Sequence, residues 1–123
     1  MLIFLLMVFG SLGTLARYGL QGLVQEHTGA GFPSGTLSVN LIGSCVLGVV
    51  LRLSLERLWI PADWRIILTI GFLGAFTTFS TFSWEAFRML EDGEWMKATI
   101  YVGASVVGGL LGIVLGIKIA DLI

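Results

Sequence analysis

The charged residues of this chain fall in clusters, and the gaps between the clusters set its architecture. No Asp, Glu, Lys or Arg occurs in residues 1–16, 27–51, 66–84 or 98–117. Each of the last three gaps, wound as a helix, is long enough to cross about 30 Å of hydrocarbon. The first becomes long enough if the single Arg17 is tolerated. The spacing therefore predicts four spans, at about 2–24, 35–57, 65–90 and 96–118. Together they make residues 1–123 a single four-helix transmembrane domain, with only short loops left over. Composition agrees: 56% of the residues are hydrophobic and 12% charged, against roughly 25% charged in a soluble domain.

The loops are marked consistently. Gln25, Glu26, His27 and the stretch Thr28–Ser34 follow span one, so His27 is expected in a loop. Trp59 and Trp64 flank Pro61 and Asp63, as suits an interfacial turn with aromatic anchors. Glu91, Asp92, Gly93 and Glu94 form the third turn. Both prolines, Pro33 and Pro61, fall between spans. In hydrocarbon every backbone polar group needs an internal partner, so a helical bundle is the expected class. The N-terminus lacks a basic segment, which argues against a cleaved signal peptide.

Other function classes lose their footing on the same inventory. A net charge of −1 without a basic patch gives no footprint for nucleic acid. The lone Cys45 sits mid-span and reads as a small core residue. One histidine cannot make a His-based metal cluster. No nucleophile–base pair stands out within the spans, so an enzyme is not expected.

Orientation is weakly specified. With four spans, Arg52, Arg57, Arg65 and Lys118 share a side with the termini. Arg88 and Lys97 lie on the other side, with Arg17 toward it. So small a bias leaves both insertion orientations open. Ala104, Gly108, Gly112 and Gly116 form a small-residue ridge on span four, and Asn40, Ser44 and Gly48 form one on span two. Such ridges serve close helix packing, either between copies or within one bundle.

Polar groups inside the membrane are costly unless paired, which makes each a candidate for function. Asn40 offers two donors and an acceptor, for interhelical glue or for a ligand. Arg17 must reach the interface, a carbonyl or an acid, and reads equally as a structural anchor. Span three is the unusual one. Thr77, Thr78, Ser80, Thr81 and Ser83 place five hydroxyls in seven residues, preceded by Gly71 and Gly74. This is poor helix material, and a break here would leave carbonyl oxygens needing partners. Phe72, Phe76, Phe79 and Phe82 are expected on one aromatic stripe, with Thr77, Thr81 and Glu85 on a polar stripe beside it. Phenyl edges carry partial positive charge and can face a small anion without holding it firmly.

Three segments carry a resemblance to a known family: Gly10-Ser11-Leu12-Gly13-Thr14-Leu15-Ala16-Arg17-Tyr18; Gly35-Thr36-Leu37-Ser38-Val39-Asn40-Leu41-Ile42-Gly43; and Gly71-Phe72-Leu73-Gly74 with Thr77-Thr78-Phe79-Ser80-Thr81-Phe82-Ser83. In these the chain resembles the small fluoride channels of the Fluc or CrcB family. The resemblance implies an all-α integral membrane protein whose third helix is broken, assembled as an antiparallel, dual-topology homodimer. It implies passive, fluoride-selective export from the cytoplasm across a bacterial inner membrane through two pores, limiting fluoride toxicity. Asn40, Phe79 and Phe82 match fluoride-lining positions. Ser80, Thr81 and Glu85 match a polar track, and Tyr101 and Ser105 match pore-side positions on span four. Gly74 and Thr77 match the positions whose carbonyls, from both subunits, hold a structural sodium ion. The implied partners are fluoride, a second copy of the chain and the lipid bilayer. A second hydroxyl one turn after Ser105 would fall at Gly109, which has none. The alternatives are a proton-coupled small multidrug-type transporter, which should carry a carboxylate in span one, and a non-transporting membrane assembly subunit.

Overall fold

A computed structural model describes residues 1–123 and is helical throughout, without a strand. Helix α1 covers Leu2–Thr28 and α2 covers Ser34–Leu55. The third span is composite. It opens with α3 (Ala62–Ile66), passes through a π-helical segment (Ile67–Leu73) and reaches the short α4 (Gly74–Phe76). After two extended residues it resumes as α5 (Phe79–Glu91). Helix α6 covers Trp95–Leu122. Four stretches are thus long and apolar enough to cross a membrane, and the third is bent in the middle.

The helix ends follow local chemistry. Nothing between residues 24 and 28 opposes helix, so α1 continues until Gly29 takes a φ of 81°. His27 is therefore helical rather than in a loop, and its Nδ1 lies 2.8 Å from the Leu23 carbonyl. Gln25 fastens the following turn: its Nε2 donates to the Phe32 carbonyl at 2.9 Å, and its Oε1 accepts from the Gly35 N–H at 3.1 Å. Between α5 and α6, Gly93 takes a φ of 77°. Its N–H donates to the Leu90 carbonyl and the Glu94 N–H to the Met89 carbonyl. This paired closure needs a left-handed residue, which glycine supplies without a Cβ penalty.

The small-residue ridges are used inside the bundle. Gly116 of α6 lies against the Cys45 carbonyl of α2, Gly112 against the Leu41 carbonyl, and Gly48 of α2 against the Ile113 carbonyl. A side chain at Gly116 or Gly48 would collide with backbone, so these glycines let α2 and α6 approach closely. Gly13 plays the same part between α1 and the Phe72 carbonyl. Arg52 of α2 clasps Asp121 at the end of α6, with Nε donating to Oδ1 at 2.7 Å. Most other large apolar side chains point outward, among them Ile3, Phe4, Leu15, Leu110, Leu111 and Leu115. That surface suits lipid or another apolar protein face.

Candidate functional site

The site is built around the break in the third span. Thr77 has ψ 162° and Thr78 has φ −151° and ψ 118°, so two residues run extended where a helix would continue. In an unbroken helix the Thr78 N–H would serve the Gly74 carbonyl. Here it donates to Asn40 Oδ1 at 2.8 Å, and Asn40 Nδ2 donates back to the Thr78 carbonyl at 3.0 Å. The Thr81 N–H, which would serve the Thr77 carbonyl, turns to Thr78 Oγ1 at 3.3 Å as the cap of α5. The Gly74 and Thr77 carbonyls are thereby released from their helical donors. Arg17 Nη1 approaches the Thr77 carbonyl at 3.5 Å, a long contact.

The break divides the expected aromatic stripe. Phe72 and Phe76 stack on one side of it, with ring centroids 5.8 Å apart. Phe76 is buried with Val39 and Leu73. Phe79 and Phe82 form a second, tilted pair at 5.7 Å, and Phe79 is 79% exposed. The two extended residues change the helical phase, so one continuous face cannot persist. The expected Thr77–Thr81–Glu85 stripe is interrupted for the same reason.

Asn40, Phe79, Phe82 and Ser105 meet around one cavity of about 340 Å³, together with Gly74 and Thr77. No charged side chain lines it. Ser105 Oγ is buried and has no hydrogen-bond partner. Tyr101 and Glu85 stand one layer away. Tyr101 is fully buried, its ring is 5.2 Å from Phe82, and its hydroxyl donates to Glu85 Oε2 at 2.6 Å. Thr36 Oγ1 donates to Glu85 Oε1 at 2.8 Å, so a hydroxyl engages each carboxylate oxygen. Gln21 Nε2 completes the group by donating to Thr36 Oγ1 at 3.3 Å. Thr81 Oγ1 accepts from Thr78 Oγ1 at 3.0 Å. Ser80 is exposed and borders neither this cavity nor the larger one.

That larger recess, about 930 Å³, lies at the end of the bundle near the α1–α2 and α5–α6 turns. Its wall holds Arg17, Arg88, Lys97 and Glu85. Arg88 pairs with Glu91 and Lys97 with Glu94, each at 2.6 Å, while Arg17 pairs with no carboxylate. Glu85 borders this recess and its partner Tyr101 touches Phe82 of the inner cavity, so the two regions are connected through that pair.

Thr36 is a site residue that the sequence does not single out, and Ser44 reads there only as a small residue. Their common signal is spacing: Thr36, Asn40 and Ser44 recur every four residues, on one face of α2. Ser44 and Thr69 both line the inner cavity.

The fold and site agree with comparisons to known proteins. Residues 4–117 match the family model described as CrcB-like protein, Camphor Resistance (CrcB). A Geobacter metallireducens protein named fluoride-specific ion channel FluC is 53% identical over 113 residues, covering 92% of this chain and 91% of its own length. A protein of the same name from Geobacter sulfurreducens is 49% identical over the same coverage. One from Nitratidesulfovibrio vulgaris is 42% identical over 121 residues, or 98% of each chain. These relatives carry the name of a channel rather than an enzyme. With four membrane-spanning stretches and this similarity over nearly its full length, the chain is a multi-pass membrane protein and belongs to the CrcB family of FluC-type ion channels.

Proposed function

We propose that this chain forms a passive, fluoride-selective channel that exports fluoride from the cytoplasm and so limits its toxicity. The observation that carries the reading is the inner cavity, where two phenyl rings, the Asn40 amide region and an unpaired buried hydroxyl meet with no formal charge. A small anion needs replacements for its lost water. Phenyl edges and hydroxyl donors supply them weakly enough to let it leave again. The names of the relatives point to the same ion.

The working unit in this proposal is an antiparallel homodimer in a bacterial inner membrane, with two pores. Two features support it. Phe79 is left largely uncovered by its own bundle, and the Lys/Arg bias between the two ends is small. Gly74 and Thr77 would hold a central sodium ion through their carbonyls. They fit that role chemically: both are hard oxygen acceptors whose helical donors are engaged elsewhere. A Cβ on Gly74 would meet only the Thr69 carbonyl at 3.6 Å, which leaves that surface open for a second copy. The bound cation would supply a fixed positive potential beside the anion path. Asn40, Phe79, Phe82 and Ser105 would contact fluoride, while Tyr101, Glu85, Thr81 and Ser80 would form the flanking polar track. Arg17 would anchor the break.

The test is ion efflux from liposomes containing the purified protein. Fluoride should run down its gradient without ATP or a proton gradient, and chloride should lag far behind. Equal fluxes of the two anions overturn the selectivity. Dependence on a proton gradient favours a coupled transporter, and no flux at all favours an assembly subunit.

A further inference from the structure

Helix α6 presents one hydroxyl to the inner cavity, Ser105, and one turn later presents Gly109. Ser44 of α2 stands opposite that gap. A Cβ placed at Gly109 would lie 3.6 Å from Ser44 Oγ, in ordinary van der Waals contact. The Ser44 hydroxyl thus borders the space that a side chain at position 109 would enter. Ser44 also lines the cavity shared by Asn40, Phe79, Phe82 and Ser105.

The present bond of Ser44 is one it can give up. Its hydroxyl donates to the Asn40 carbonyl at 2.8 Å, one turn back along the same helix. That carbonyl lies within continuous α2 and has the helical N–H as its regular donor. The hydroxyl bond is therefore supplementary. Rotation about the Cβ–Oγ bond can redirect the proton toward the cavity without orphaning the carbonyl. A donor that is satisfied before the ion arrives and free to turn when it does suits an ion that must pass on.

We propose that Ser44 is an anion-contacting residue of this chain, supplying from α2 the hydroxyl that Gly109 does not supply from α6. The inference rests on the fluoride-channel reading. It gives the cavity hydroxyls from two helices, Ser105 of α6 and Ser44 of α2.

The test compares fluoride efflux from liposomes for wild type, Ser44→Ala, Gly109→Ser and the double variant, each first checked by size-exclusion chromatography. Loss of one neutral hydrogen bond should lower the Ser44→Ala rate by about fivefold. Gly109→Ser in that background should return most of the loss, because it places a hydroxyl in the same space from the other helix. Gly109→Ala in that background should return none. An unchanged Ser44→Ala rate overturns the proposal, as does equal rescue by serine and alanine, which would mark a packing effect. If Ser44→Ala does not assemble, Ser44→Cys, which keeps a γ atom but only a weak donor, is read in its place with the same expectations. A wild type that passes no fluoride overturns the channel reading and this inference together, and is recognised before any variant is compared.

Discussion

Asn40 and Thr78 exchange two hydrogen bonds across 38 residues of sequence: the Thr78 N–H donates to Asn40 Oδ1 at 2.8 Å and Asn40 Nδ2 donates to the Thr78 carbonyl at 3.0 Å. The side-chain amide thereby replaces the backbone partner that the helix break takes from the N–H of Thr78, which is only 8% exposed, and adds a second donor to its carbonyl, which as the N-cap of α5 already accepts the first bond of that helix. The break in the third span and the asparagine in the second are one structural unit.

Asn40→Leu should accordingly damage stability as well as flux. It leaves the buried Thr78 N–H without a partner, at a cost of about 1–3 kcal/mol. We expect a clear drop in thermal midpoint in detergent. Asn40→Leu with a wild-type midpoint would show that Thr78 finds other partners.

Phe82→Ile separates the aromatic edge from mere volume. Phe82 lies between Phe79 at 5.7 Å and Tyr101 at 5.2 Å, so an aliphatic chain keeps much of the packing. Ring-specific interactions are worth about 0.5–1.5 kcal/mol, so fluoride flux should fall by roughly two- to tenfold. Assembly, followed by size-exclusion chromatography, should be unchanged.

Gly116→Ala and Gly103→Ala form a matched pair. The first drives a methyl group into the Cys45 carbonyl, whereas the second meets nothing within 4 Å. The first should destabilise by about 1–3 kcal/mol, and the second should leave the thermal midpoint where it is. Equal midpoints would mean that α2 and α6 separate without penalty.

Gly74→Val tests the proposed crossing of two copies. Within one chain a Cβ at this position meets only the Thr69 carbonyl, at 3.6 Å, so helicity by circular dichroism should persist. The dimer should weaken, as it should when sodium is replaced by a large organic cation. A fully stable, active dimer under both changes would remove the case for a cation at the Gly74 and Thr77 carbonyls.

Two or three lysines added to the Glu91–Glu94 turn should force a single orientation and abolish flux. Co-expression with an oppositely biased variant should restore it. Cysteine labelling at the termini from both sides of the membrane is the direct check on the wild type.

The four spans and the break were legible in the sequence because they depend on neighbours along the chain. Charge-free runs set the spans, and a Gly- and hydroxyl-rich stretch cannot sustain regular helix. What Asn40 binds was not legible, because its partner is 38 residues away and is backbone. The same limit hid the Thr36–Glu85–Tyr101 group, which joins three helices. Two further features waited on tertiary structure. The glycine ridge of α6 could face α2 or another molecule with the same sequence, and only packing directs it onto the Cys45 and Leu41 carbonyls. Likewise, regular spacing put Phe76 and Phe79 on one stripe, yet two extended residues turn Phe76 into the core and Phe79 outward. Hydropathy and propensity act along the chain and so can be read from it. The phase of a helix after a break, and the partner of a polar group in hydrocarbon, are settled by whichever distant atoms the fold brings within hydrogen-bonding reach.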